Sequence, residues 1–241
     1  MDAFSIEIAG FAFRVQPLFE TTRLYCREYL TVKVPEFDFA VTGDDLVLEQ
    51  KLLDLEADDE GLKRRKFPDP FLERSVIQRK IATLLLNRDV LLLHGSTVAV
   101  DGQAYLFTAA CGTGKSTHTR LWREFFGARA VMVNDDKPFL KWTPDGLMAY
   151  GSPWTGKHGL GNNVCFPLKG ICILSRGMEN RIRRICADDA RHMLMHQCFL
   201  AEGDGRAAFL VERLMERIAL WQMECTKDLS AAQTAWEVMS K

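Results

Sequence analysis

Several features that would assign the chain to a special class are missing. No apolar run approaches the length of a membrane span, and the first residues, Met1-Asp2-Ala3-Phe4, lack the basic region and apolar core of a signal peptide. The net charge is −1, so composition gives no reason to expect nucleic acid or an acidic membrane as a partner. We therefore expect a cytoplasmic protein that binds neither nucleic acid nor membrane.

The cysteines form no C-x-x-C pair, and their number, 7, is odd. This pattern favours reduced thiols in a cytosolic protein, most of them packed as small apolar residues. With 241 residues, of which 47% are hydrophobic, the chain is long and apolar enough to bury a sizeable core.

A glycine-rich segment is present between an apolar run (104–107) and an apparent helix (118–126). Its small residues allow backbone N–H groups to close around phosphate oxygens, and the helix N-terminus adds a favourable dipole. Lys115 can reach the terminal phosphates, and Ser116 can ligate Mg²⁺. The segment therefore predicts a site for a nucleoside triphosphate. Its predicted binding residues are Ala110, Cys111, Gly112, Thr113, Gly114, Lys115, Ser116 and Thr117.

One position departs from the usual pattern G-x-x-x-x-G-K-[ST], because Ala109 occupies the place of the first glycine. Alanine tolerates positive φ less well than glycine does. We therefore expect the first turn of the loop to differ from the usual one.

The chain is predicted to have two parts. Residues 1 to about 55 look β-rich, because apolar residues alternate in 4–8 and 11–15, and residues 42–45 suggest a hairpin turn. Residues 56–70 are polar, with an acidic run, a basic run and two prolines, which is typical of a boundary. We predict a small β-rich N-terminal lobe over residues 1–70 and a nucleotide-binding domain over residues 71–241.

In the second part, pairs of strands alternate with the single strand–loop–helix unit. Hairpins are predicted over Asp101-Gly102 and around residues 144–146, and residues 168–174 and 181–185 are predicted to be strands that flank a turn. Helices are predicted over 71–87, 188–200, 205 to about 220, and 230–241. A regular βαβ array would place a helix between nearly all strands. We predict instead an α/β fold of mixed, α+β character with a strongly curved mixed sheet.

Two adjacent carboxylates, Asp135 and Asp136, end the predicted strand over residues 130–133. One carboxylate there can hold Mg²⁺ near Ser116, and the other can accept a proton from an attacking hydroxyl. Sequence alone does not assign the two roles. We take Asp135 with Ser116 as the metal ligands and Asp136 as the base.

Two further segments carry candidate catalytic residues. His94 follows the predicted strand over residues 90–93, where it can orient a carboxylate or contact the transferring group. Residues 151–163 are glycine-rich and contain Lys157, which can neutralise a transferring phosphoryl group; a flexible surface loop is the alternative. Further candidates for phosphate or substrate contact are Arg176, Arg181, Arg183 and Arg184, although alternation along the strand predicts that they mostly face solvent.

Taken in order, Leu93-His94-Gly95, a hairpin, the Gly-x-Gly-Lys-Ser loop and Asp135-Asp136 resemble the HPr kinase/phosphorylase family. That family shares a P-loop core with phosphoenolpyruvate carboxykinases, and the resemblance covers about residues 75–185. It implies that His94 is the family histidine, that Lys115 and Ser116 are its lysine and metal-binding hydroxyl, and that Asp135 and Asp136 are its metal ligand and catalytic base. The family's glycine-rich segment is only loosely matched, by Gly159-Leu160-Gly161.

The N-terminal part, with Ala9-Gly10-Phe11 between short strands, is similar to small HPr-kinase-like proteins found beside peptide-modification genes, some of which phosphorylate a serine of a precursor peptide. The resemblance therefore implies a kinase that uses ATP and Mg²⁺ and acts on a serine of a protein or peptide. It also suggests a homo-oligomer. Two alternatives stay open: a carboxykinase acting on a small carboxylic acid, and a nucleotide-sensing module without phosphoryl transfer.

Overall fold

The computed structural model describes residues 1–199 and 205–241. The chain divides into two compact units, residues 1–84 and 85–241. The polar segment had predicted the boundary between the two parts at residue 70. The structure places it after residue 84. No helix in the described ranges is both long enough and apolar enough to cross a bilayer.

The first unit combines a small sheet with helices. Its elements are β1 (Phe4–Ile8), β2 (Phe11–Gln16), α1 (Glu20–Tyr25), β3 (Phe37–Ala40), α2 (Gly43–Asp59) and most of α3 (Asp69–Leu86). The β1–β2 hairpin is antiparallel and turns at Ala9-Gly10, both at positive φ, while β3 pairs in parallel with β2. On α3, the buried carboxylate of Glu73 accepts hydrogen bonds from the backbone N–H groups of Leu18 and Phe19 at the start of α1.

The prediction of a β-rich lobe was wrong from residue 43 onwards, where the chain forms α2 instead of a hairpin. The hydroxyl of Thr42 accepts a hydrogen bond from the backbone N–H of Asp45 (3.3 Å), and the Asp45 carboxylate accepts one from the N–H of Thr42 (2.8 Å). This reciprocal pair is a capping box, which satisfies two N–H groups that a helix start leaves without partners. The polar residues 42–45 therefore begin a helix.

The second unit is built on one large mixed sheet with helices on both faces. Its strands are β4 (Val90–Leu92), β5 (Ser96–Val100), β6 (Gln103–Thr108), β7 (Ala130–Asn134), β8 (Phe139–Thr143), β9 (Gly146–Tyr150), β10 (Cys165–Arg176), β11 (Arg181–Arg184) and β12 (Ala219–Cys225). Its helices are α4 (Lys115–Phe126), α5 (Ala187–Gln197), α6 (Gly205–Arg217) and α7 (Leu229–Met239). The strand order is β4-β8-β9-β10-β6-β5-β7, with β12 also beside β10 and β11 beside β12.

The sheet curls at β10, which confirms the prediction of a mixed α/β fold with a curved mixed sheet. The first residues of β10, 165–167, pair antiparallel with β9, whereas the later ones pair in parallel with β6 and with β12. One strand thus joins the antiparallel part of the sheet to the parallel part.

The C-terminal predictions need two corrections. The helix predicted to reach about residue 220 ends at Arg217, and residues 219–225 form β12, which separates β10 from β11. Sequence reasoning missed β12 because alanine, leucine, glutamine and methionine are good helix formers; burial of Trp221 and Met223 in the sheet overrides that preference. Leu200, the last residue of the helix predicted from residue 188, lies outside the described residues.

Alternating side chains on β6 divide the core of this unit. Ala104 and Leu106 pack into the cluster that contains residues of α5 and α6, while Tyr105 and Phe107 pack into the cluster that contains residues of α4 and α7. Because both faces of β6 are covered, its carboxyl end is held firmly, and that end carries the glycine-rich loop.

Candidate active site

The glycine-rich loop joins the buried strand β6 directly to α4. Gly112 (φ 73°) and Gly114 (φ 128°) adopt conformations that favour glycine, and Gly114 is the N-cap of α4. The N–H of Thr113 donates to the carbonyl oxygen of Ala110 at 3.3 Å, which closes a turn within the loop. The structure thus has the strand, turn and helix N-terminus that an anion site requires.

Ala109 introduces no backbone strain. In the described part of the chain, the non-glycine residues at positive φ are Ala9, Asp89 and Asp101, so Ala109 does not need the freedom of glycine. It is fully buried, and its carbonyl oxygen accepts a hydrogen bond from Nζ of Lys115 at 2.9 Å. The departure from the usual motif therefore leaves the loop and its lysine in place.

The first turns of α4 are attached to the sheet by hydroxyl groups. The buried Ser96 and Thr119 side chains share a hydrogen bond of 2.7 Å, and Thr119 also bonds to the carbonyl oxygens of Lys115 (3.4 Å) and Ser116 (3.3 Å). Lys115 is largely buried, with 8% of its surface exposed, and Ser116 is partly exposed. The cation and the hydroxyl predicted to bind phosphate and metal thus sit on a fixed helix start.

Asn134, at the end of β7, fixes the turn that carries the two aspartates. Its side-chain oxygen accepts hydrogen bonds from the backbone N–H groups of Asp136 (2.8 Å) and Lys137 (2.6 Å), and its amide nitrogen donates to the carbonyl oxygen of Ser152 (3.0 Å). Asn134 is fully buried. Sequence reasoning missed this residue, although an Asn two residues before a polar turn residue is a known turn signal.

Asp135 offers a carboxylate oxygen suited to a metal ion. Oδ1 accepts a hydrogen bond from the N–H of Gly156 at 2.7 Å, while Oδ2 is buried and has no hydrogen-bond partner among the described residues. Burial raises the pKa of this carboxyl, and the Gly156 N–H opposes that shift. An orphaned buried carboxylate oxygen is costly unless a cation or donor completes it.

The donor set suits Mg²⁺, which prefers oxygen ligands and usually retains waters and substrate phosphates. The carboxylate of Asp135 and the hydroxyl of Ser116 are both hard oxygen donors. No cluster of three or more His, Cys, Asp or Glu side chains able to hold a metal occurs within residues 1–199 and 205–241. With these two protein donors, a Mg²⁺ ion would take its remaining ligands from water and phosphate oxygens.

His94 and Asp136 form a hydrogen-bonded pair, with His94 Nε2 at 3.1 Å from Asp136 Oδ1. Burial and the nearby charge of Lys137 lower the pKa of His94, against the raising effect of its bond to Asp136. Burial by itself raises the pKa of Asp136, but the hydrogen bond from His94 and the charges of Lys137 and Lys115 bring it below its ordinary value. At neutral pH the pair is therefore a neutral imidazole donating to an ionised carboxylate.

Main-chain bonds place this pair beside the loop. The N–H of Gly95 donates to the carbonyl oxygen of Asp136 (2.9 Å), and the hydroxyl of Thr108, the last residue of β6, donates to the carbonyl oxygen of His94 (2.9 Å). The charge of Lys115 acts on both His94 and Asp136. The structure thus brings together four predicted residues: His94, Lys115, Asp135 and Asp136.

The loop of residues 151–163 is attached to the site mainly through its main chain. A Cβ on Gly151 would lie 1.9 Å from the carbonyl oxygen of Asn162, and one on Gly161 would lie 2.7 Å from Thr155 Cγ2, so both positions need glycine. Gly156 binds Asp135, but the predicted Lys157 is exposed in the turn that follows. Its role in neutralising the charge of a phosphoryl group therefore stays a prediction.

Two further cations lie near the site, and the sequence did not predict the contacts that either of them makes. Lys137 acts electrostatically on His94 and Asp136, as described above. Arg176, one of several arginines proposed for phosphate contact, donates from Nη2 to the carbonyl oxygen of Gly112 (2.6 Å) and from Nε to that of Thr113 (3.4 Å). Arg181 and Arg183 are exposed on β11, and Arg181 pairs with Glu179.

No protein-family model matches the chain, and no curated protein matches it. Among solved structures, the Hpr(Ser) kinase/phosphatase from Coxiella burnetii is similar over 62% of this chain and 99% of that chain, with 11% sequence identity and a TM-score of 0.36. A likeness this distant carries no argument about function.

Proposed function

We propose that the chain is an ATP- and Mg²⁺-dependent kinase that transfers the γ-phosphate to a hydroxyl group, that of a serine in a protein or peptide. One observation carries the proposal: the loop lysine, Lys115, lies within electrostatic reach of a carboxylate, Asp136, that is held ionised by His94. Transfer to a hydroxyl requires a proton acceptor at this position beside the phosphate loop. The order of the motifs in the sequence supports the same function.

In this proposal, residues 110–117 bind the triphosphate. Backbone N–H groups of the loop donate to phosphate oxygens, and Lys115 exchanges the Ala109 carbonyl for the terminal phosphates. Ser116 and Asp135 would hold Mg²⁺, which would neutralise charge on the phosphates. Lys115 and Lys157 stabilise the charge that spreads over the transferring group.

Asp136 accepts the proton of the attacking hydroxyl. His94 Nε2–H occupies Oδ1, which leaves Oδ2 of Asp136 to take that proton. The acceptor oxygen forms a bond to the γ-phosphorus while the bond from that phosphorus to the bridging oxygen breaks, and ADP keeps the electron pair. Because the pKa of His94 is lowered, the imidazole orients Asp136 without carrying a charge of its own at neutral pH.

The test follows label from γ-labelled ATP in the presence of Mg²⁺ to a panel of acceptors: serine-containing peptides, HPr, free serine, and small sugars and carboxylic acids. We expect transfer to a serine hydroxyl, reduced by about 10²–10⁴-fold in Asp136→Asn, with ATP binding retained. Asp145→Asn, in the exposed β8–β9 turn, is the matched control and leaves transfer unchanged.

Three outcomes contradict the proposal. Equal transfer by Asp136→Asn and the unaltered protein would remove Asp136 as the base. Tight ATP binding without transfer to any acceptor would favour the nucleotide-sensing alternative, whereas label on a carboxylic acid would favour the carboxykinase alternative.

A further inference from the structure

Arg176 reaches from the end of one strand to the phosphate loop that follows its neighbour. Because β10 and β6 run parallel, their carboxyl ends lie at the same edge of the sheet, the edge where ligands bind in such folds. From there the guanidinium donates to two successive carbonyl oxygens of the loop, those of Gly112 (2.6 Å) and Thr113 (3.4 Å). A planar group with several N–H donors in a fixed arrangement is well suited to hold two carbonyls at once.

Holding these carbonyls determines where the next N–H groups point. In a trans peptide the C=O and the following N–H point in opposite directions. A donor that holds the Thr113 carbonyl on one side therefore turns the Gly114 N–H to the other side. The Gly112 carbonyl is likewise opposite the Thr113 N–H, which closes the turn to Ala110 at 3.3 Å.

The loop needs such a restraint because a glycine flanks each of these two peptide groups: Gly112 precedes the first, and Gly114 follows the second. Gly112 and Gly114 each have positive φ, a Cβ on Gly112 would meet nothing within 4 Å, and glycine populates many backbone conformations. Without an external partner, these peptide planes can rotate away from the arrangement that binds phosphate. Fixing them in advance removes an ordering cost from binding.

We propose that Arg176 is a positioning residue for the phosphate loop: it orients the peptide groups at Gly112 and Thr113 so that the loop N–H groups are set for an anion before nucleotide arrives. The inference depends on the proposed nucleotide site and assigns to that site a residue from outside the motif. It also distinguishes Arg176 from the arginines of β11, whose bonds among the described residues go to side chains outside the loop.

A positioning role and direct contact with the terminal phosphate have different signatures. The loop holds the phosphates common to ATP and ADP, so a disordered loop weakens both nucleotides by the same factor. A side chain that bound the γ-phosphate itself would weaken ATP alone.

The experiment measures dissociation constants of Mg²⁺-ATP and Mg²⁺-ADP by calorimetry for the unaltered protein, Arg176→Ala, Arg176→Lys and the control Arg181→Ala. We expect Arg176→Ala to weaken both nucleotides about tenfold, the size expected for losing a charge-assisted hydrogen bond. Arg176→Lys should recover little of this loss, because an ammonium lacks the planar arrangement of donors, and Arg181→Ala should bind normally. Amide exchange at Thr113 and Gly114, measured without nucleotide, should be faster in Arg176→Ala.

Each other outcome has a distinct meaning. Unchanged affinity and exchange in Arg176→Ala would overturn the positioning role and leave the proposed kinase intact. A loss confined to ATP would make Arg176 a ligand of the γ-phosphate instead. If the unaltered protein bound neither nucleotide, the proposed function would fail, and this inference with it.

Discussion

The buried His118 in the first turns of α4 makes the stability of the second unit depend on pH. Its ring is 2% exposed, Nε2 accepts a hydrogen bond from Trp122 Nε1 at 3.1 Å, and Nδ1 has no partner among the described residues. The ring packs edge-on against Phe107, with 4.5 Å between the centroids. Burial in this apolar setting lowers the pKa of His118 to about 3.

The size of the effect follows from this shift. In the unfolded chain the histidine takes up a proton below its ordinary pKa of 6.5, whereas the folded chain resists protonation down to about pH 3. The unfolded state therefore binds more protons between these values, so stability is complete above pH 6.5 and falls as the pH is lowered. Between pH 7 and pH 5 this one group removes about 2 kcal/mol from the free energy of unfolding.

Urea unfolding of the unaltered protein and of His118→Gln at pH 7 and pH 5 measures this contribution. All five tryptophans lie in residues 85–241, so their fluorescence reports on the second unit. The substitution has its own cost, but that cost is the same at both pH values and cancels in the comparison. We expect the free-energy difference between the two proteins to change by about 2 kcal/mol in favour of the variant at pH 5.

An equal difference at pH 7 and pH 5 would refute the reasoning, since it would mean that His118 does not resist protonation in the fold. His158→Gln serves as the control, because it makes the same substitution at an exposed histidine.

Three further predictions concern single side chains. Lys137→Met should raise the pKa of His94, followed by NMR of the imidazole protons, because the charge of Lys137 lowers it; Lys157→Met should leave that pKa unchanged. Asn134→Ala should lower the free energy of unfolding by about 1–3 kcal/mol and slow any phosphoryl transfer, as it leaves two backbone N–H groups without their acceptor. Glu73→Ala should accelerate amide exchange at the start of α1, where its carboxylate accepts two backbone N–H bonds; unchanged exchange would show that water replaces it fully.

Sequence patterns predicted the parts of the fold that local chemistry decides. The Asp101-Gly102 turn is an example, because both residues adopt positive φ (51° and 81°) and the flanking strands pair directly. The hairpin predicted at residues 42–45 was wrong, because Thr, Gly and Asp are common both in hairpin turns and in helix caps. The hydrogen bonds between Thr42 and Asp45 distinguish the helix cap from the turn. Residues 219–225 form a strand because they pair in parallel with β10, and a local sequence pattern carries no information about that pairing.

The candidate site also combines residues that local sequence patterns predict with residues whose contacts depend on tertiary structure. The loop lysine, the two aspartates and the histidine could be named as candidates from the sequence, because each follows a predicted strand in a pattern with a known chemistry. Arg176 could be named as a candidate, but its bonds to the loop depend on the adjacency of two parallel strands that lie far apart in sequence. The role of Asn134 likewise depends on a contact outside its own turn, the hydrogen bond from its amide nitrogen to the carbonyl oxygen of Ser152.

The attachment of residues 151–163 through main-chain groups has a consequence for how the protein can diversify. Gly156 reaches Asp135 with a backbone N–H, and the glycines at 151 and 161 fill positions that have no room for a side chain. The exposed side chains of Lys157 and His158 contribute to neither attachment. Exchanging them therefore leaves the Asp135 carboxylate geometry in place, so the charge and size of this exposed turn can be selected or engineered without loss of the main-chain attachment.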